Sequence, residues 1–342
     1  MKTRQRSFFD EEARMELLSK LGDPLEILNK VINWEMFRSV LNSACRKENT
    51  GKGGRPAFDV ILMFKIIVLQ RLYNLSDDQT EYQINDRRSF MRFLELELCD
   101  KVPDSKTIWK FKNDLAEMEI MEELFCLFDE QLENEGLITH KGTIVDATFV
   151  DAPRQRNSRD ENKTIKEGKI PTEWEKPENI HKLEQKDTDA RWTKKGNEVH
   201  FGYKNHVKCD ADSKLITNYA VTDAAVHDSQ RCTELLDDKE EALYADSAYS
   251  GAPIAENLPE NCRNEICEKA QKGHPLTKEQ KENNRRKSKI RCRIEHIFGF
   301  MTNSMHQITI RSIGITRAWF QIGLTNLVYN FCRYEFLKRP AA

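Results

Sequence analysis

TIVDATFV, residues 143–150, is the stretch on which the fold turns. Thr143, Ile144, Val145, Thr148, Phe149 and Val150 are β-branched or aromatic, the composition of a strand. Asp146 stands in its middle, although aspartate is depleted in strands and its charge is costly to bury without a partner. Two further carboxylates have similar settings. In ALYADSA, residues 242–248, a short apolar strand runs into Asp246. In RCRIEHIFGF, residues 291–300, Glu295 rides on an amphipathic helix with Ile294, Ile297 and Phe298 on its apolar side. Two strand-borne aspartates and one helix-borne glutamate are the hard oxygen donors that magnesium requires.

Composition bounds what surrounds them. A chain of 342 residues suggests about two domains. Its 32% charged residues and mean hydropathy of -0.70 describe a soluble protein. The longest apolar run, residues 60–69, is interrupted by Lys65 and too short to span a bilayer, and the N-terminus lacks an apolar core of signal-peptide length. A cytoplasmic, non-membrane protein is expected. Nine cysteines are scattered singly, without CxxC or zinc-finger spacing, so reduced thiols are expected and structural zinc is not.

The net charge of -2 argues against uniform nucleic-acid affinity, yet residues 281–293 hold seven basic residues against one acid, Glu282. Lys287, Lys289, Arg291 and Arg293 belong to this run, which leads straight to Glu295. A solvated helix face is the ordinary explanation of such a run; a phosphate-binding surface is the alternative that its position favours.

The first 135 residues read as helical throughout. Residues 8–21 and 24–42 carry apolar residues at three and four spacing. GKGGRP, residues 51–56, reads as a flexible connector rather than a phosphate loop, and Pro56 is placed to open a helix over 57–73 that is apolar nearly all round. Ser76 is expected to cap a helix to about Asp86, and Ser105 to cap SKTIWKFKNDL. On that last helix Lys106 and Lys110 stay outside, as in a helix-turn-helix entering a major groove; a helical scaffold or dimerisation surface fits equally well. Residues 118–132 read as core.

After Gly136 the pattern changes to strands. Residues 151–198, with 12 basic and 11 acidic residues, are too poor in aliphatics for a core of their own and suggest a long surface insertion or partly disordered loop, with Trp174 and Trp192 as anchors. Residues 199–222 alternate as an antiparallel hairpin, and Lys204 and His206, two apart, share a face. A helix capped by Asp228 or Ser229, the strand of Asp246, a short strand near 263–267 and a final long helix complete a mixed α/β domain. This order is that of a ribonuclease H-like core: a mixed-sheet catalytic domain over 136–335, with an insertion at 151–198, preceded by an all-helical domain over 1–135 for DNA binding or dimerisation.

Taken singly, Asp146, Asp246 and Glu295 have ordinary explanations: backbone bonding, a turn cap, a pair with Arg291 one turn earlier. In this order, on these elements, they fit metal-assisted phosphodiester chemistry. IVDATFVDAP (144–153), HFGYKNHV (200–207), VTDAAVHDS (221–229), ALYADSAYSG (242–251) and RCRIEHIFGFM (291–301) resemble, in order, the catalytic domain of a DDE transposase from a bacterial insertion sequence of the insertion-sequence-five type. The helices before them resemble that group's N-terminal domain, and the likeness spans about residues 50–335. It implies that Asp146, Asp246 and Glu295 bind magnesium, with manganese as a substitute. It also implies that Arg291 is the arginine of the family's tyrosine-arginine-glutamate-lysine signature, whose tyrosine and lysine are replaced here by Ser288 and Thr302. The implied reaction is cleavage at terminal inverted repeats of double-stranded DNA, followed by attack of the freed 3′-hydroxyl on target DNA, in a dimer or larger assembly. Arg291, Arg293, Lys287 and Lys289 would contact phosphate; for Lys204 and His206 a place facing the same cleft and a core or surface role fit equally well. A ribonuclease H-like nuclease that cuts without joining, or a non-catalytic DNA-binding descendant, are the alternatives.

Overall fold

The computed structural model describes residues 10–45, 56–152, 156–270 and 273–339. They divide into two compact units, one of residues 1–120 with 331–342 and one of residues 121–330. GKGGRP, apart from Pro56, lies outside the described residues.

The first unit is helical: α1 (Asp10–Lys20), α2 (Pro24–Val31), α3 (Arg38–Cys45), α4 (Val60–Leu72), α5 (Asp77–Asp86), α6 (Arg88–Phe93) and α7 (Ser105–Glu117). The helix expected over 24–42 is broken after Val31, where Ile32 turns extended and a 3-10 turn, Trp34–Phe37, intervenes. Helix α4 begins at Val60, not after Pro56. The Asp59 carboxylate accepts from the N–H groups of Ile61 (2.9 Å) and Leu62 (3.2 Å), satisfying donors that proline could only omit. As its all-round apolar pattern requires, α4 is buried from Met63 to Arg71. Trp34 packs edge-on against Phe64, Phe93 and Phe331 beside it. Ser76 caps α5 as expected, and Gln79 reaches back to its N–H to complete a capping box. Helix α7 is capped by Asp104, which accepts from the Thr107 N–H at 2.7 Å, and not by Ser105.

The second unit begins with α8 (Met121–Asn134), whose Met121, Leu124, Phe125 and Phe128 are buried. It continues through β1 (Thr143–Asp151), α9 (Arg159–Lys166), α10 (His181–Gln185), β2 (Arg191–Lys195), β3 (Glu198–Asp210), β4 (Ile216–Asp223), α11 (Cys232–Leu235), β5 (Ala242–Ala245), α12 (Ala252–Glu256), β6 (Arg263–Asn264), α13 (Lys278–Arg291), α14 (Arg293–Asn303) and α15 (Ile315–Lys338), whose residues from Phe331 on count with the first unit. Strands run β4-β3-β1-β5-β6, antiparallel as far as β1 and parallel from β1 to β6, with β2 sharing with β4 the outer side of β3. This is the ribonuclease H-like arrangement. Residues 229–238, expected as one helix, hold only a 3-10 turn (Asp228–Gln230) and the single turn of α11, and the final helical stretch is three helices rather than one.

The polar stretch 151–198 is folded. Ser158 and Glu161 build a capping box for α9, and Glu161 also accepts from the Trp174 ring N–H (2.8 Å) and the Lys186 ammonium (2.5 Å). Trp174 is wholly buried, so one aromatic ring and a shared carboxylate do the work that aliphatics do elsewhere. Asp187, 2% exposed, ties this subdomain down by accepting from the Tyr203 hydroxyl (2.7 Å) and the Gly314 N–H (3.2 Å). Asn326 and Asn330 of α15 bond Asn205 and the Ile216 backbone of the hairpin. All nine cysteines are unpaired. No helix among the described residues is long and apolar enough to cross a membrane.

Candidate active site

The parallel β1–β5 register ends at Val145 opposite Ala245, so Asp146 and Asp246 come next on neighbouring strands at the same end of the sheet. Asp246 leaves its strand as the cap of a 3-10 turn, accepting from the Ser247 hydroxyl (2.9 Å) and the Ala248 N–H (3.3 Å). Glu295 lies in the first turn of α14, and the chain kinks at Cys292 between α13 and α14. Arg291, the last residue of α13, places its guanidinium 3.2 Å from the Asp146 carboxylate and 3.7 Å from that of Glu295.

Burial raises the Asp146 carboxyl to about 6; the Ala147 N–H, Arg291 and Lys195 resist the rise, and Glu295 adds to it. Burial acts the same way on Asp246, but there the Ser247 hydroxyl, the Ala248 N–H and Arg291 outweigh it and hold the carboxyl below its usual value. One guanidinium thus lies in the field of all three acids. Their chemistry suits a hard divalent ion: oxygen donors only, two of them, Asp246 and Glu295, exposed.

The three are not drawn within 4.8 Å of one another. The group that is so gathered among the described residues is His140, Asp237 and Glu240. Its cation is already present: the Lys208 ammonium donates to Asp237 at 2.8 Å and Glu240 at 2.9 Å, and Thr143 donates its hydroxyl to Glu240. We read this group as an ion-pair network around the buried Lys208 and Glu240.

The basic residues separate into two sets. Lys281, Arg285 and Lys289, four apart, are exposed along one face of α13, which buries no residue. Others are engaged: Lys287 donates to the Ile266 carbonyl (3.0 Å), and Arg293 to the Ala211 carbonyl (2.7 Å) and Asp212 (3.0 Å). Lys204 and His206 do share a face, but an inner one. The Lys204 ammonium donates to Asp228 (2.8 Å) and the Val226 carbonyl (2.6 Å), and His206, 1% exposed, bonds the Thr222 hydroxyl. In the first unit Lys106 and Lys110 are exposed, the latter paired with Asp114 at 2.8 Å. Ser288 meets the Cys267 thiol (3.7 Å). Thr302 borders a cleft of about 360 Å³ that follows β1 and α14 from Thr148 and Phe298, with Phe149, Lys195 and His200. Sequence reasoning missed Lys195, which sits in the polar stretch whose folding it had not foreseen, and took Asp228 only as a helix cap, not as the partner of Lys204.

Residues 138–331 match the family model described as the transposase DDE domain. The chain belongs to the DDE transposase family. Residues 12–114 of this transposase match a second model, described as a transposase domain. Among solved structures it is similar to the piggyBac transposase in its synaptic complex with hairpin DNA, with 10% identity and a TM-score of 0.44, over 92% of this chain and 75% of that one. Membership makes it a DNA-transposing enzyme of the polynucleotidyl-transferase and endonuclease class, and implies divalent metal use.

Proposed function

We propose that the chain is the transposase of a bacterial insertion sequence of the insertion-sequence-five type, which cleaves the ends of its element and joins the freed 3′-hydroxyl to target DNA. The observation that carries this reading is the approach of Asp146, Asp246 and Glu295, from two neighbouring strands and a helix, to the single guanidinium of Arg291. Two magnesium ions, or manganese in their place, would activate the nucleophile and stabilise the leaving oxygen. Asp146, central and least exposed, would hold the metal together with Asp246 and Glu295. Asp246, kept ionised by its turn, offers a carboxylate ready to bind. Glu295 is exposed and can rotate inward from α14. Arg291 would pair with a phosphate of bound DNA, and Lys289, two residues earlier on α13, is exposed. Lys287 and Arg293 hold the backbone beneath, and the buried Lys204 and His206 brace the hairpin.

The helices up to residue 135, with Lys106 and Lys110, would bind the terminal repeats or a second copy, and residues 136–335 would carry out the chemistry, acting in a dimer or larger assembly on DNA. The test is strand transfer with a labelled terminal-repeat duplex and plasmid target. Asp146→Asn, Asp246→Asn and Glu295→Gln should each lower metal-dependent cleavage and joining by more than about a hundredfold, the scale on which loss of an outer-shell partner already acts. Cleavage without joined product would make the protein a nuclease, and undiminished cleavage by Asp146→Asn would remove the site.

A further inference from the structure

The cleft of about 360 Å³ along β1 and α14 opens next to the three carboxylates. Thr148 lies two residues beyond Asp146 on the same strand, and Phe298 three beyond Glu295 on the same helix. Such spacings put each pair on one face of its element. The other wall is the tip of the β2–β3 hairpin, which curls back over β1. Strand register sets Phe149 opposite Lys204, yet the ring stacked on Phe149 is that of His200, four residues nearer the hairpin tip, at 4.2 Å and 7° between planes. The curl brings the Lys195 ammonium into the cleft lining, 5.7 Å from the Phe149 ring. From there its charge reaches Asp146 and opposes the rise of that carboxyl.

Lys195 is exposed and, among the described residues, has no carboxylate within ion-pair distance. Its cross-strand neighbour Glu198 turns instead to the His200 Nε2 (3.7 Å), and Asp151, the other acid of the lining, stands between the His200 Nδ1 (3.9 Å) and Arg156 (4.0 Å). Both acids repel an anion near them, so what the cleft offers an anion is the ammonium itself and not the cavity as a whole. The α14 wall, with Phe298, Met301 and Thr302, brings no charge. Lys287, Arg293 and Lys204, by contrast, are already bonded within the protein. A cation–π contact at an exposed site contributes about 0.5–1 kcal/mol. That steers the ammonium without withholding it from a phosphate, whose charge-assisted bond is roughly twice as strong as a neutral one.

We propose that Lys195 is a substrate-contacting residue whose ammonium holds a backbone phosphate of the DNA strand entering the active site, an assignment that rests on the proposed function. Phosphates follow one another about every 3.4 Å of axis along a strand. A strand with its scissile phosphate at Asp146 therefore carries the next ones into a cleft that begins two residues away. The polar stretch 151–198 acquires a task by this contact, because β2 delivers a cation to the acids from outside the strands that carry them. A solvated surface lysine is the ordinary alternative, and it predicts no change in any of the measurements below.

The test uses the full-length protein, magnesium and a labelled terminal-repeat duplex. It compares Lys195→Ala and Lys195→Arg with Lys194→Ala, which removes the same charge one residue away on the other face of β2. Lys195→Ala should lower the slope of log K against log salt by about 0.9 and the cleavage rate at saturating DNA by about tenfold. Lys195→Arg should recover most of both, and Lys194→Ala should behave as wild type. Methylphosphonate linkages placed singly around the cleavage position identify the contact. One of them should slow wild type about tenfold and slow Lys195→Ala hardly further, since its partner is already gone. Circular dichroism checks each fold, and Lys195→Gln carries the same expectation if the alanine variant does not fold. With a wild type that cleaves, an unchanged slope and rate in the folded variant, an equal loss in Lys194→Ala, or additive effects at every linkage overturns the assignment and leaves the proposed function standing. A wild type that cleaves nothing removes the proposed function, and the assignment of Lys195 with it.

Discussion

Arg291 is the residue on which the site is balanced, because one guanidinium offsets carboxylates that arrive from three separate elements. Arg291→Ala should weaken binding of a terminal-repeat duplex and lower the slope of log K against log salt by about 0.9 for one lost phosphate contact, whereas Arg291→Lys keeps the charge and most of the slope. His206 offers a test of its own. Burial pushes its imidazole down to about 4 from 6.5, against the pull of Asp228 and with the help of Lys204 and Arg231. A depressed folded value means that the unfolded chain binds the proton first, so stability is full above about 6.5 and is lost as pH falls toward 4, by at most about 3 kcal/mol. Thermal unfolding of His206→Asn should lack that part of the acid sensitivity. Asp146 was legible in the sequence because it breaks the rule of its strand. The depth of Lys204 and His206 was not. Alternation assigns residues to two faces, but residues 201–210 of β3 are buried on both, so period two says nothing there about which face meets solvent.

At the scale of elements, the helices were legible where periodicity or capping chemistry decided them, as in the burial of α4 and the Ser76 box. Their starts were not always so. Asp59 and Asp104 supplant Pro56 and Ser105 because neighbouring residues compete for one cap, and backbone geometry settles which side chain reaches the N–H groups. The polar subdomain escaped notice because its stability rests on a few shared groups rather than on apolar content. Trp174→Ala should cost about 3–5 kcal/mol locally, seen as faster amide exchange over residues 159–195 than across β1 and β3. Gly202 is a tight point of the sheet, with φ +157 and no room for a side chain: a methyl group there would overlap the Val150 carbonyl oxygen and lie 2.6 Å from the Ala152 nitrogen. Gly202→Ala should therefore destabilise by more than about 2 kcal/mol, readable as a drop in Tm.

Across the whole molecule a net charge of -2 conceals an uneven distribution. Lys281, Arg285 and Lys289 form an exposed ridge of positive charge along α13, and replacing all three with alanine should lower the salt slope of DNA binding by about 2 to 3. Comparable loss of binding to an unrelated duplex would mark these contacts as positioning rather than sequence-reading. The class of fold was legible from the succession of strand, hairpin, helix and strand. The sheet order was less so, since β1 pairs with β5 about a hundred residues away, and only tertiary packing fixes a parallel partner at such distance.

Asp151 and Arg191 both stand opposite Gly202, one on each side of β3, so the forty residues or so between them leave and rejoin the sheet at a single rung. Segments anchored in this way can change length without shifting strand register elsewhere. For protein engineering, the exposed turn at Gly168, φ +74, becomes a natural socket for a fluorescent or affinity tag, placed on the molecule yet mechanically uncoupled from the carboxylates.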